Sequence, residues 1–134
     1  CAFLQAVIDT LKLPGVSILC GRAEELALPS YREAFDYAVA RAVAPLNVLA
    51  EYLLPFVRPG GLALCWKGPA VHGELEDGRY AARLLGGQMG ALVDLGIPDR
   101  SHYVQIIHKK SATPKQYPRK AGMPGKDPLR FKTS

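Results

Sequence analysis

Apolar residues at the start of the chain follow the spacing of a helix. Within CAFLQAVIDTLKLPG, the apolar positions that would share one helical face are Phe3, Leu4, Val7, Ile8 and Leu11. Pro14 and Gly15 interrupt this spacing, and the next run, VSILC at residues 16–20, is short, apolar and β-branched. The pattern therefore predicts a helix, a turn and a buried strand, with the chain beginning inside the helix.

Two further apolar runs predict strands, with a helix between them. Residues 35–40 are largely apolar, and residues 61–68 (GLALCWKG) form another such run. The second run shows no clean alternation of apolar and polar positions, as expected for a strand covered on both faces. Between them, PLNVLAEYLLPFV begins with Pro45, which suits the first turn of a helix, and it stacks leucines on one side.

The pattern then predicts one more helix and a strand pair. Residues 69–87 favour a helix that Gly73 and Gly78 weaken. Residues 88–96 and 101–110 alternate partly, and the short connector IPDR suits antiparallel partners. The order of elements predicts an α/β fold with a mostly parallel sheet, covered on both faces, and an antiparallel C-terminal strand pair.

The final residues, KQYPRKAGMPGKDPLRFKTS, have no apolar period and are rich in Pro, Gly and basic residues. Residues 1–107 carry 9 Lys/Arg and 11 Asp/Glu, whereas residues 108–134 carry 8 and 1, so residues 108–134 account for the net charge of +5. We divide the chain into a body, residues 1–110, and a basic tail, residues 111–134. Because the tail offers little apolar area to offset the entropy of ordering, we expect it alone to be mobile.

Length and composition fit one globular domain. The 134 residues are 49% apolar and 22% charged, and no apolar run approaches the roughly 20 residues that a membrane span requires. The chain shows no secretory signal, and we expect it to continue upstream and to be cytoplasmic. Cys1, Cys20 and Cys65 lack the paired spacing of metal ligands, so we expect reduced, buried thiols.

Candidate chemistry lies where the predicted strands end, because ligands of open α/β sheets bind beyond the carboxyl ends of the strands. Ala23 and Glu24 follow the first predicted strand. Glu24 could simply cap a helical turn. Alternatively, the Ala23 backbone N–H could donate to a ring nitrogen while the Glu24 carboxylate accepts from an exocyclic amine, which complements the edge of adenine.

Arg41 and Lys67 follow the next two strands. Arg41 lies in an otherwise apolar stretch, so we expect it to be partly buried and either paired with Glu24 or Asp36 or directed at a ligand. The residues leave these two roles equally open. Lys67 is either a solvated strand end or, beside Trp66, a contact to nucleic acid.

No other motif identifies a cofactor or a nucleophile. His72, His102 and His108 have no spacing to a Ser or Cys that would build a catalytic triad, and surface or edge-strand positions are expected for them. The chain has no GxGxxG, no P-loop and no metal signature. We assign no catalytic residue from the sequence.

The stretch LLPFVRPGGLALCWKG resembles the helix, turn and fifth strand of class I S-adenosylmethionine-dependent methyltransferases. Within that group, GRAEELA, FDYAVARAVAPLNVLAEYLLP, WKGP and YPRKAGMPGKDPL resemble the bacterial small-subunit ribosomal RNA methyltransferase G family, also called GidB or RsmG. The resemblance covers essentially the whole chain.

The resemblance implies a three-layer, Rossmann-like sandwich of strand order 3-2-1-4-5-7-6, truncated here to strands 3 to 7. It implies transfer of a methyl group from S-adenosylmethionine, without a metal, to nitrogen 7 of a guanine in 16S rRNA of the small ribosomal subunit. A cytoplasmic monomer with no membrane partner is expected. The implied contacts are Ala23, Glu24 and Arg41 for the cofactor, and Arg119, Lys120 and Lys126 for RNA. Lys67 is expected, from its place beside Trp66, to position the cofactor or the RNA substrate.

The chain departs from the family at its start, where members carry a first strand with a Gly-rich cofactor loop and a second strand. Without neighbouring strands, residues 16–20 would lack backbone partners, and residues 36–40 would present an exposed edge. We therefore expect these 134 residues alone to be inactive and to bind S-adenosylmethionine very weakly or not at all. Two other functions stay open: a different class I methyltransferase, or a non-catalytic RNA-binding or ribosome-associated module.

Overall fold

The computed structural model describes residues 1–41 and 44–132. Their helices are α1 (Ala2–Leu11), α2 (Ala23–Leu26), α3 (Leu46–Leu53), α4 (Leu75–Leu84) and α5 (Met123–Lys126). The strands are β1 (Phe35–Arg41), β2 (Val57–Lys67), β3 (Gly87–Asp94) and β4 (Tyr103–Lys109). Short 3-10 turns at Leu54–Phe56 and Pro69–Glu74 precede β2 and α4.

The four strands form one mixed sheet in the order β1-β2-β4-β3. β1 and β2 are parallel, with Arg41 beside Trp66, whereas β4 is antiparallel to both β2 and β3. The α/β architecture and the antiparallel C-terminal pair are confirmed. The expectation of a mostly parallel sheet is wrong for the described residues, since two of the three strand pairings are antiparallel.

The two faces of the sheet differ because side chains alternate along each strand. On β2, Ala63 and Cys65 are fully buried against the core that α3 and α4 complete. On the other face, Leu62 and Leu64 are half-buried and Trp66 is exposed. We call this second face the open face. The expected cover on both faces, and with it a three-layer sandwich, is therefore not formed by the described residues.

Residues 16–20 are not a strand, contrary to the sequence prediction. A strand is stable only when a neighbour satisfies its backbone groups, and the described residues supply none for this segment. Cys1 and Cys20 lie close together, 6.2 Å between their Cα atoms, and both are exposed, so the expectation of burial is wrong for this pair. Cys65 alone fits that expectation as a free, buried cysteine.

The tail folds back on the body. The Arg32 guanidinium donates to the carbonyls of Thr113, Pro114 and Tyr117 at 2.7–3.0 Å. Thr113 is buried, and its hydroxyl donates to the Leu85 carbonyl at the end of α4, at 2.6 Å. The composition of the tail, which was weighed by its apolar area alone, did not predict this docking, because these contacts are polar and long-range.

The rest of the tail runs across α3 and α4. The Asn47 amide donates to the Leu129 carbonyl at 2.7 Å, and the ring of Phe131 packs edge-on against Tyr80 at 5.8 Å between centroids. Residues 111–132 thus connect the end of β4 to α3 and then to α4.

Within residues 1–41 and 44–132, no helix has the length and apolar character needed to cross a membrane. The same residues hold no cluster of three or more His, Cys, Asp or Glu side chains placed to bind a metal ion.

Candidate functional site

The carboxyl ends of β1 and β2 meet the β3–β4 connection at one edge of the sheet. The parallel pairing of β1 and β2 places Arg41 beside Trp66 in the last register position. The connection from β3 returns to β4 at Tyr103, which pairs with Lys67. A cleft of about 260 Å³ lies here, and its lining residues are Arg41, Trp66, Ile97, Arg100 and His102.

Arg41 is exposed, with its guanidinium carbon 6.0 Å from the centre of the Trp66 ring. This distance lies within the range of a cation–π interaction. Asp36, one predicted partner, instead forms an ion pair with Arg58. Arg41 is therefore not partly buried as expected, and neither Asp36 nor Glu24 is its partner among the described residues.

Glu24 lies in α2 with its side chain only 3% exposed, and it holds the tail. Its Oε2 accepts from the Gly122 backbone N–H at 2.8 Å and from the Arg22 guanidinium at 3.3 Å. Burial by itself would raise the pKa of the Glu24 carboxyl, but these hydrogen bonds and the Arg22 charge hold that pKa below its usual value. Glu24 is thus an ionised anchor for the tail.

Ala23 faces a different space from Glu24. It lines an apolar cavity of about 350 Å³ beside the free edge of β1, together with Leu19, Gly21, Leu26, Tyr31 and Tyr37 among others. Neither Glu24 nor Arg41 lines this cavity. The three predicted cofactor residues are therefore not brought to one surface by the described residues.

Lys67 is buried, 7% exposed, at the end of β2. Its ammonium donates to the Ala44 carbonyl at 2.7 Å and pairs with the Glu74 carboxylate at 3.0 Å. The alternative of a solvated strand end is therefore wrong. Contact of Lys67 with RNA stays a prediction that this geometry does not favour, because an RNA phosphate would have to compete with Glu74.

The three predicted RNA contacts of the tail have different surroundings. Arg119 binds Glu51, whose side chain is fully buried in α3, with guanidinium and backbone contacts of 2.8 Å. Lys120 and Lys126 are exposed. Arg119 therefore neutralises a buried carboxylate, while the two lysines stand where a phosphate could reach them.

Sequence reasoning missed several polar residues that organise this region. Glu51 interrupts the apolar stretch LNVLAEYL, and a carboxylate at such a position signals a partner elsewhere in the chain. Lys109 is fully buried, with its ammonium 2.9 Å from Glu33 and 2.6 Å from the Leu54 carbonyl. Arg100 and His102 carried no local signal, since only the pairing of β3 with β4 brings them beside Trp66.

Cys65, the free cysteine of the described core, is not suited to act as a nucleophile. Burial raises the pKa of the Cys65 thiol to about 12, only partly offset by the charge of Lys67. A thiol with such a pKa is protonated at neutral pH. His72 packs edge-on against Tyr103, 5.0 Å between ring centres, at the end of the sheet where β4 begins.

Comparison with known proteins identifies a family. Residues 1–103 match the family model GidB, described as rRNA small subunit methyltransferase G. The matched residues include the Arg41–Trp66 cleft but not the tail.

Individual relatives are similar over nearly the whole chain. The ribosomal RNA small subunit methyltransferase G of Leuconostoc mesenteroides is 54% identical over 129 residues, which are 95% of this chain and 54% of the relative. The protein of the same name from Leuconostoc citreum is 50% identical over the same shares. That from Alkaliphilus oremlandii is 46% identical over 96% of this chain and 55% of its own length. The chain spans about half the length of the curated relatives it matches.

Proposed function

The chain belongs to the rRNA small subunit methyltransferase G family, and on that premise we propose that it is part of an enzyme that methylates 16S rRNA. The proposed reaction moves the methyl group of S-adenosylmethionine to nitrogen 7 of a guanine. The match of residues 1–103 to the family carries this proposal.

The sheet supports the assignment to class I methyltransferases. The order β1-β2-β4-β3, parallel for the first pair and antiparallel for the rest, corresponds to strands 4-5-7-6 of the order expected from the resemblance. In the complete enzyme, strands 3, 2 and 1 would continue the sheet from the free edge of β1.

In the cavity beside β1, Gly21, Ala23 and Leu26 form an apolar wall, which suits the face of an adenine ring. The β1 side of the same cavity is where the next strand of the complete sheet would lie. Ala23 is not a proline, so it has a backbone N–H that can donate to a ring nitrogen. Glu24 does not line this cavity. It would hold the segment that contains Ala23 in place by accepting a hydrogen bond from the Gly122 backbone N–H. S-adenosylmethionine would supply the electrophilic methyl group when bound.

The proposed chemistry requires little acid–base help from the protein. Nitrogen 7 of guanine carries a free lone pair and no proton, so attack on a sulfonium methyl group depends mainly on alignment. Lys120 and Lys126 would contribute by attracting the rRNA backbone.

Methylation of ribosomal substrates by the complete protein tests the proposal. The protein would be incubated with tritiated S-adenosylmethionine and either 30S subunits or naked 16S rRNA, both from cells that lack the enzyme. We expect label in at least one substrate, at a guanine where borohydride and aniline treatment cleaves the chain, as they do at 7-methylguanosine. Label at another atom or in protein would contradict the proposed reaction, and RNA binding without label would favour the non-catalytic module.

A further inference from the structure

The tail segment at residues 119–122 is held by two buried carboxylates from different helices. Arg119 donates to Glu51 of α3 from its backbone N–H and from its guanidinium, both at 2.8 Å. The Gly122 backbone N–H donates to Glu24 of α2 at 2.8 Å. The side chains of Glu51 and Glu24 are 0% and 3% exposed, and a buried carboxylate without a partner is costly. Both carboxylates therefore favour the same docked position of the tail.

The two carboxylates share a neighbour, Tyr52 of α3. Burial raises the pKa of the Tyr52 hydroxyl, and the charges of Glu24 and Glu51 raise it further. A Cβ at Gly125 in α5 would lie 3.6 Å from the same hydroxyl. Because α3 contacts both α2 and α5, the tail and the two helices that carry the carboxylates form one packed unit.

The position of α2 depends on this unit. The helix has four residues, Ala23–Leu26, and so short a helix is not stable by itself. Among residues 1–41 and 44–132, the bond from Gly122 to Glu24 is the one hydrogen bond that joins α2 to a distant part of the chain. Packing against α3 is its other connection to the helices.

A different side of α2 faces the cavity beside β1. The wall formed there by Gly21, Ala23 and Leu26, which we call the adenine wall, is the one assigned above to the adenine ring. Adjacent residues of a helix do not face the same way, so one helical turn presents Ala23 to the cavity and Glu24 to the tail. A shift of the tail at Gly122 would therefore move the adenine wall.

We propose that the docked tail positions the adenine wall, so that S-adenosylmethionine binds tightly only when the tail is in place. Gly122 acts on the wall through Glu24, and Arg119 fixes the same tail segment through Glu51. The inference rests on the proposed function for the identity of the cofactor. It makes Glu24 and Arg119 positioning residues, instead of direct contacts to the cofactor and to RNA. A wall that is not held in place must be ordered on binding, and this cost is subtracted from the affinity.

Binding of two cofactor analogues by the complete protein distinguishes positioning from direct contact. One is S-adenosylhomocysteine, and the other has purine in place of adenine, so it keeps the ring nitrogens and lacks the exocyclic amine. In titration calorimetry, Glu24→Ala should weaken both ligands equally, by about tenfold, the effect of one hydrogen bond to a charged group. Glu24→Gln keeps an oxygen that can accept from Gly122 and should recover part of the loss. A direct contact to the amine would instead weaken S-adenosylhomocysteine alone.

Arg119 does not line the cavity, so its substitution tests whether the tail acts from a distance. Arg119→Ala should weaken S-adenosylhomocysteine about fivefold or more and leave the KM for rRNA unchanged at saturating S-adenosylmethionine. Arg119→Lys keeps a cation for Glu51 and should fall between the wild type and Arg119→Ala. Lys120→Ala, at an exposed position of the same segment, should raise the KM for rRNA and leave the affinity for S-adenosylhomocysteine unchanged.

Ile107→Ala controls for a general loss of stability. Ile107 is fully buried in β4, and β2 separates this strand from β1 and the cavity. Its truncation destabilises the core, as Arg119→Ala destabilises the docked tail, but it should leave the affinity for S-adenosylhomocysteine unchanged. All variants would be compared at a temperature where circular dichroism shows them to be folded.

The outcomes separate this inference from the proposed function. An effect of Glu24→Ala confined to the ligand with the amine, unchanged affinity in Glu24→Ala or Arg119→Ala, or an equal loss in Ile107→Ala would overturn positioning by the tail even if rRNA is methylated. A raised KM for rRNA in Arg119→Ala, with unchanged cofactor affinity, would return Arg119 to RNA and contradict the inference. Cofactor binding that depends on the tail, in a protein that labels no rRNA, would overturn the proposed reaction and leave the inference standing.

Discussion

One buried carboxylate determines how the C-terminal segment is held. Glu51 is 0% exposed in α3, and Arg119 supplies both its guanidinium and its backbone N–H to it. A buried charge without a partner is costly, so removing Arg119 affects more than one surface contact. We expect Arg119→Ala in the complete protein to lower the free energy of unfolding by about 3–5 kcal/mol, measured by urea denaturation.

A neighbouring lysine gives the matched control. Lys120 is exposed, and Lys120→Ala should change the free energy of unfolding by less than about 0.5 kcal/mol. Adding Glu51→Gln to Arg119→Ala should recover part of the loss, because the second change removes the unpaired charge. Equal effects of Arg119→Ala and Lys120→Ala would show that the ion pair does not hold the tail.

At the scale of elements, the sequence predicted what depends on local pattern and missed what depends on distant partners. The apolar runs at residues 35–40 and 101–110 correspond to β1 and β4 within a few residues. Residues 16–20 have an equally apolar pattern, but a strand also needs a neighbour in the sheet. The tail was expected to be mobile because its composition does not reveal Glu51, 68 residues away from Arg119.

The turn between α4 and β3 shows how an element boundary depends on one residue without a side chain. Gly86 has φ +87°, and its carbonyl accepts from the backbone N–H groups of Lys110 and Ser111 at 2.8 and 2.9 Å. A Cβ there would clash with the Ser111 carbonyl oxygen. We expect Gly86→Ala to destabilise the complete protein by more than about 2 kcal/mol, the sum of backbone strain and the clash, measured by urea unfolding.

Gly96 separates those two contributions. It also has a positive φ, +65°, but a Cβ there would meet nothing within 4 Å. Gly96→Ala should therefore show the conformational cost alone, about 1 kcal/mol. If both substitutions cost the same, the close approach of Gly86 to the start of the tail is not a constraint on the fold.

For the whole molecule, only part of the candidate site could be predicted from the sequence. Arg41 and Trp66 follow from the rule that ligands bind at the carboxyl ends of parallel strands. Arg100 and His102 could not be foreseen, since they come from a hairpin connection whose position depends on the complete sheet. The open face could not be predicted either, because an apolar run has the same sequence pattern whether one face of the strand or both faces are covered.

The open face also predicts how the 134 residues behave without further polypeptide. Tyr37 and Val39 on β1 are 63% and 64% exposed, beside the half-buried Leu62 and Leu64 of β2 and next to a free strand edge. Apolar surface joined to an unpaired edge favours association between copies. We expect the isolated chain to self-associate with rising concentration in sedimentation velocity experiments, and the combined change Tyr37→Lys and Val39→Lys to reduce this association.

The change Gln88→Lys with Ala91→Lys is the matched control. It adds the same charge at exposed positions of β3, on the opposite edge of the sheet, and should reduce the association less. If the isolated chain stays monomeric at all concentrations, or if both double variants act equally, the open face of β1 and β2 is not what drives association.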